Sequence, residues 1–430
     1  MKLALGIIST AFTLTLGLYT PKVTAATTKN FKTFTEWCEQ KATLSPETKR
    51  TIQALLEVAK TQNCSQANQK LTQITELDLS GKQISDLQPL SNLHQLTKLE
   101  LMFNQVKDIQ PLNQLKNLTF LILISNQISD IQPLKELKNL ESLYLGSNQI
   151  SDISPLANLT QLKFLNLSSN QISDIQIVSN LTNLQKITLG DNNISDIQPL
   201  ANLTNLWGVY LEKNQISNIQ PLGKLTNLVD VTLGENQITD IEILANLTKL
   251  TYLSLRENQI SNIEPLADLT DLKHLHLQSN QIQDIQPLSN LTGLTILNLS
   301  QNKITNIQAL SALTDLEILA IAENQISDIK SLSGMNSLIN LYLQGNQLKE
   351  IKPLSKLTNL YDLYLSNNQI KDIQPLANLT RLHHLTLDNN QIRNIQPLKK
   401  LKNLEVLEVQ NNPLVNKTCP VQPKSVCTFE

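Results

Sequence analysis

From Ile74 onward, apolar and polar positions repeat with a period of 22 residues, in the frame LxxLxLxxNxIxxIxPLxxLxx. The frame returns at Leu96, Leu118, Leu140 and so on to Leu404, giving sixteen units with no insertion or deletion between them. In the unit that starts at Leu140, Leu143 and Leu145 alternate with Ser142, Tyr144 and Gly146, the pattern of a short strand with one buried face. After Asn148 the apolar spacing becomes three, through Ile150, Ile153, Leu156 and Leu159, which predicts a tight 3₁₀ or irregular segment rather than a full helix. No unit this short can bury its own apolar side chains, so neighbours must stack in one line. The predicted fold is an α/β solenoid. It is an arc with a parallel sheet on the concave face, 3₁₀ or irregular segments on the convex face, and a helical cap at the N-terminal end.

The polar columns of the repeat divide scaffold from surface. Asparagine recurs fifteen times, from Asn104 to Asn412. At the strand exit its amide can serve backbone groups of its own and adjacent coils that would otherwise be buried unpaired. The first unit carries Lys82 there, as befits a terminal coil. Ten units place Asp before the second isoleucine, as at Asp152, Asp174 and Asp196, and four place Asn, where a short polar side chain can cap the next turn. Pro155 and its equivalents follow inside the first turn, where a missing N–H costs little. Ile177, Ile243, Ala309 and Ser331 replace that proline, and Met335 replaces a core leucine.

A chain of 430 residues could hold two or three ordinary domains, but the unbroken period through residues 74–412 leaves no boundary inside it. Ahead of the repeats, Phe31, Phe34, Trp37 and Cys38 share one helical face. Ser45-Pro46-Glu47 opens a second helix through Ile52, Leu55, Leu56 and Ala59, and a third is expected over about residues 65–71. Residues 26–73 therefore form a helical cap over the open end of the first coil. Residues 413–430 form a C-terminal cap with a cysteine pair. Met1 and Lys2 precede an apolar stretch from Leu3 to Leu18 and a small-residue cleavage pattern at Val23-Thr24-Ala25, which marks residues 1–25 as a secretory signal peptide. No second apolar run reaches membrane length, so the mature chain is expected to be exported without membrane insertion, to the periplasm or the cell exterior. The four cysteines fit export: Cys38 and Cys64 lie before the repeats, Cys419 and Cys427 after them, and two local disulfides are the natural pairing.

Only the outward strand positions are free of the repeat. Five of the seven tyrosines occupy them, Tyr144, Tyr210, Tyr252, Tyr342 and Tyr364, joined by Phe120 and Phe164. Near the first coils, Met102, Phe103, Ile122 and Ile124 add to Phe120, Tyr144 and Phe164 to make a contiguous apolar patch, the usual mark of an interaction surface. Glu76, Asp78 and Glu100 make the first coils acidic, while Glu212, Asp230, Glu235 and Glu257 with Lys213 and Arg256 mark the middle. His274 and His276 project from one strand to the same face, but adjacent strands supply no third metal ligand. With a net charge of −2, nucleic acid is not an expected partner. No Gly-rich phosphate loop or nucleophile elbow appears, so neither catalysis nor a cofactor is expected. The expected partner is a protein of unknown identity bound by a monomer. A glycan is the alternative, since exposed tyrosines also stack on sugar rings, and a structural envelope role is a third possibility. Asn-Leu-Thr triplets at Asn158 and Asn202 match the glycosylation acceptor, but they fall at one phase of the repeat.

The unit as a whole is the leucine-rich-repeat signature, and at a constant 22 residues it resembles the internalin-like leucine-rich repeats of bacteria, over residues 74–412 with a helical cap ahead. The resemblance implies binding of host or cell-surface proteins through concave aromatic residues, here Phe120, Tyr144, Phe164, Tyr210, Tyr252, Tyr342 and Tyr364. The sequence departs from the family's pattern in lacking an immunoglobulin-like segment and a wall-sorting motif after the repeats, and in the cysteine pair of its cap. The same repeat class also resembles the intracellular regulatory subunit of a protein phosphatase, from which the export signal sets this chain apart.

Overall fold

The computed structural model describes residues 31–429, so the expected signal peptide at residues 1–25 lies outside the described residues. Seventeen parallel strands form one open sheet, each bonded to its sequence neighbours. Equal unit length fixes the register. Leu121 pairs with Leu143, Leu143 with Leu165 and Leu275 with Leu297, so every strand of the repeat meets its own equivalent. A slip of one residue would turn all the leucines out to water.

The alternating strand pattern has its expected effect: in strand Phe120–Ile122 the middle Leu121 is buried and its neighbours are half-buried. Leu143, Leu145, Ile150, Leu156 and Leu159 are fully buried in a core that runs the length of the solenoid. Leu143→Ala empties one such site and should lower unfolding free energy by about 2 to 5 kcal/mol in a denaturant titration. A loss under about 1 kcal/mol would mean that the coil collapses around the vacancy.

On the other side of each coil the chain makes a short 3₁₀ turn, such as Ser154–Leu156 with Pro155 in its first positions. Asp152 Oδ1 accepts the Ser154 N–H at 2.8 Å, and Asn218 does the same for Gln220 at 3.0 Å. Bonds from the Ser154 backbone N–H and hydroxyl, in that order, lower the Asp152 pKa. The asparagine column works as its chemistry suggests. Asn258 Nδ2 donates to the carbonyls of Leu233 at 3.0 Å and Leu255 at 3.1 Å, while its Oδ1 accepts the Ile238 N–H at 2.9 Å. A second ladder was not anticipated: Asn117, Asn139 and Asn205 donate to the carbonyls of His94, Lys116 and Thr182 in the preceding coil at 2.9, 2.9 and 3.0 Å.

Both ends of the core are covered. Helices α1 (Phe34–Glu39), α2 (Pro46–Ala59) and α3 (Cys64–Leu71) precede the first strand, and Ser45 caps α2 by accepting the Thr48 N–H at 3.2 Å. Ile52, Leu55 and Leu56 are fully buried in the same core as Leu77 and Leu79 of the first coil. The Thr51 hydroxyl ties α2 to that coil by donating to the Asp86 carbonyl at 2.6 Å. Lys82 reaches Glu57 of α2 at 3.1 Å, which accounts for the missing asparagine there. Phe31 lies ahead of α1 rather than on its face, with its ring edge-on to Trp37 at 4.7 Å. A Cys38–Cys64 disulfide joins α1 to α3, with Cα atoms 5.5 Å apart. At the other end Cys419 and Cys427 are bonded, and the segment does more than loop: Cys427–Thr428 adds a seventeenth strand beside Leu407–Glu408. No described helix is long and apolar enough to cross a membrane.

Candidate interaction surface

The outward side chains lie in rows along the strand ladder, and they separate into three zones. In the first, the Phe120 and Tyr144 rings are 5.6 Å apart and tilted by 50°, and the Lys98 ammonium lies 5.1 Å from the Phe120 centroid. Ile122 pairs with Tyr144 across strands, and half-buried Phe164 stands one strand further along, beside Ser142.

Phe103 belongs to this zone but not to a strand. It stands in the turn after Lys98–Glu100, 64% exposed, with φ +57°. In the other units that left-handed position holds glycine or a polar residue: Gly81 and Gly345 at two, and Ser, Asp, Asn, Gln, Lys or Glu at the rest. A bulky side chain is disfavoured at positive φ, and Phe103 recovers little burial in return. Phe103→Gly should raise unfolding free energy by roughly 0.5 to 1 kcal/mol and weaken partner capture at the same time. Loss of stability in that variant would show that the ring packs usefully on the fold, and unchanged capture would remove it from the surface.

The middle zone is charged. The Tyr210 hydroxyl donates to the Asp230 carboxylate, the Lys186 ammonium lies 4.2 Å over the Tyr210 ring, and the Thr232 hydroxyl donates to Glu212. Burial, and then the bond to Asp230, push the Tyr210 phenol far above its ordinary range. Arg256 bridges Glu235 at 2.6 Å and Glu257 at 2.9 Å. Tyr252 meets His274 edge-on at 5.8 Å and lies 5.4 Å from His276, whose pKa is lowered by burial and then by His274 and Arg256. The two histidines thus pack into an aromatic cluster. Among the described residues no group of three or more His, Cys, Asp or Glu is placed to hold a metal ion.

In the third zone Tyr342 and Tyr364 stack at 4.7 Å with planes 6° apart, and Asp362 beside them accepts from Asn340 at 2.7 Å and pairs with His384 at 2.7 Å. Sequence reasoning missed the flank next to it. Tyr361 stacks on His383 at 3.9 Å, and Ile339 and Trp207 are 39% and 37% exposed in the same column. That column, immediately ahead of the outward strand residues, could have been found as the large residues at Trp207, Ile339, Tyr361 and His383 where other units carry Thr, Glu, Lys, Gln or Val.

An open parallel sheet of equal-length coils, each paired in register with the next, defines a repeat scaffold. The family described as Leucine Rich repeats (2 copies) matches residues 72–114, 116–158, 160–202, 248–290, 292–334, 336–378 and 380–420, and the chain belongs to it. Within it the chain is internalin-like. It is 36% identical to an internalin of Listeria monocytogenes, InlF, over 80% of this chain and 98% of that one, with a TM-score of 0.64. A leucine-rich-repeat protein of Leptospira interrogans is 26% identical, with 85% and 91% of the two chains covered and a TM-score of 0.64. The functional domain of InlJ from Listeria monocytogenes, which includes a cysteine ladder, shares the fold at a TM-score of 0.73 and 22% identity, covering 88% of this chain and 82% of its own. No curated protein matches the sequence. Scaffolds of this family are typically modules for protein–protein interaction, and no enzymatic family is indicated.

Proposed function

We propose that the protein is an exported, non-enzymatic scaffold that recognises a protein partner through the concave face of its sheet. The observation that carries this reading is the collection of aromatic side chains on the outward strand positions, Phe120, Tyr144 and Phe164 toward one end and Tyr342 and Tyr364 toward the other. Aromatic anchors supply much of the energy at protein interfaces, and the charged middle zone can select among partners. Export rests on the apolar stretch from Leu3 to Leu18 with the cleavage pattern behind it, and on two disulfides, which persist in oxidising compartments. The final place is the periplasm or the cell exterior, and the mature chain acts as a monomer.

Glycan recognition is the second reading, supported by the half-exposed tyrosines. The stack of Tyr342 on Tyr364 leaves each ring only its outer face, less stacking area for a sugar than two separate rings would offer. The deciding experiment immobilises the mature chain, offers it envelope and secreted protein fractions, and runs a glycan array in parallel. Saturable capture of one protein with an empty array supports the proposal. Glycan binding without protein capture overturns it, and so does self-association at micromolar concentration with no external ligand.

A further inference from the structure

A cavity of about 540 Å³ lies on the convex side between the 3₁₀ turns Lys330–Gly334 and Lys352–Lys356, within the size range of small-molecule sites. The repeat changes here in several columns at once. Ser331 stands where most units have proline, and the side-chain space at Gly334 is open, with no atom within 4 Å of where a Cβ would lie. Glu350 replaces the usual Asp or Asn cap. In the unit before it Asp328 accepts the Lys330 N–H at 2.9 Å, whereas Glu350 makes no such bond to Lys352 among the described residues. The column of Lys330 and Lys352 is Gln, Glu or Ser in every other unit.

Lys330, Lys349, Lys352 and Lys356 stand around the cavity with only two carboxylates, Asp328 and Glu350. Both carboxylates act on Lys330: Asp328 pairs with it at 3.0 Å, and each raises its pKa, Asp328 the more strongly. Lys349, Lys352 and Lys356 form no ion pair among the described residues, in a chain whose net charge is −2. Half-buried Pro353 gives the cavity an apolar wall, beside the buried Ile329.

We propose that this cavity binds a small phosphate ester, with the three unpaired ammoniums around the phosphate and the organic part against Pro353. A phosphate offers three terminal oxygens and more negative charge to the lysine ammoniums than a carboxylate with two oxygens does. The lysines are solvated, so binding weakens as salt rises.

The test uses glycerol 3-phosphate as probe, with glycerol and lactate as controls, titrated calorimetrically into the mature chain at low ionic strength. The variant Lys349→Ser, Lys352→Gln, Lys356→Asn restores residues that other units carry, so it should fold normally, as its melting curve would verify. The expected result is saturable binding of glycerol 3-phosphate by the native chain, no binding of glycerol, and affinity lower by about tenfold or more in the triple variant. Absence of saturable binding to the native chain, or equal affinity in the triple variant, overturns the site, and lactate binding as tight as glycerol 3-phosphate overturns its assignment to phosphate. A linear phosphodiester polymer as a further arm separates a free metabolite from a polymer as the source: tighter binding of the polymer would overturn the small-ester assignment. Phe120→Asp with Tyr144→Asp should bind the probe like the native chain, so this site and the concave face stand or fall independently.

Discussion

Replacing Phe120 and Tyr144 together by aspartate is expected to abolish partner capture without moving the melting temperature. The two rings are neighbours at 5.6 Å in the middle of the first aromatic zone, with Ile122 beside them on the same face. Central aromatic anchors carry about 2 kcal/mol or more each, so losing both weakens binding by roughly a thousandfold. The carboxylates would add desolvation to that loss wherever the partner covers them. Stability should hold, because both side chains are half-buried on the solvent face while the core side of their strands is Leu121 and Leu143. The check is surface-bound native and variant protein measured against the captured partner, with circular dichroism melts of both. Capture at native strength by a folded variant would move the interface off this zone.

The second large effect is on the scaffold. Asn280→Leu keeps the volume and strips the chemistry. Asn280 donates to the carbonyls of Leu255 at 2.9 Å and Leu277 at 3.1 Å, and accepts the Ile260 N–H at 3.0 Å. The residue is 9% exposed, so water cannot replace it easily. The Ile260 N–H is left without an acceptor, while the Leu255 and Leu277 carbonyls each lose one bond and keep another from Asn258 and Asn302, so the change should cost about 2 to 4 kcal/mol in urea unfolding. By contrast, Asp152→Ala removes an exposed turn cap and should cost only about 0.5 to 1 kcal/mol. If the two losses came out equal, the asparagine ladder would be decoration. Repeat arrays do not always unfold in one step, so the transition midpoints of both variants need a second probe such as tyrosine fluorescence.

The constant spacing from Leu96 to Leu404 made the coil, its buried leucines and its convex turns legible from sequence, because alternation and spacing report directly on which side chain faces the core. The asparagine and aspartate columns were legible for the same reason: each residue type has one thing to do at its position. The second ladder was not read, since asparagine holds only seven of the fifteen positions in its column, and Gln161, Lys249 and Asp271 among the others hide the pattern that the constant strand-exit asparagine makes plain. Nor was the left-handed turn, because glycine marks it only at Gly81 and Gly345; elsewhere the strand-to-strand bonds, such as Ser125 N–H to the Gly146 carbonyl at 2.9 Å, hold residues of other kinds there. Phe103 was placed on the face by its apolar character, but its exposure and strain needed coordinates. The flank of Tyr361 and His383 depends on how the chain enters the strand, which alternation alone does not specify. The aromatic zones themselves followed from outward positions, although their pairing into Phe120 with Tyr144 and Tyr342 with Tyr364 is a matter of ring angle.

Because every strand meets its equivalent in zero offset, distance along the sheet is quantised. Phe120 and Tyr342 stand ten strands apart, or roughly 45 to 50 Å at the ordinary spacing. Removing or duplicating one 22-residue unit between them would leave each coil intact and shift the two aromatic footholds by a single step of about 4.8 Å. Gene duplication of this kind would act as a ruler, fitting the same two grips to longer or shorter targets without redesigning either.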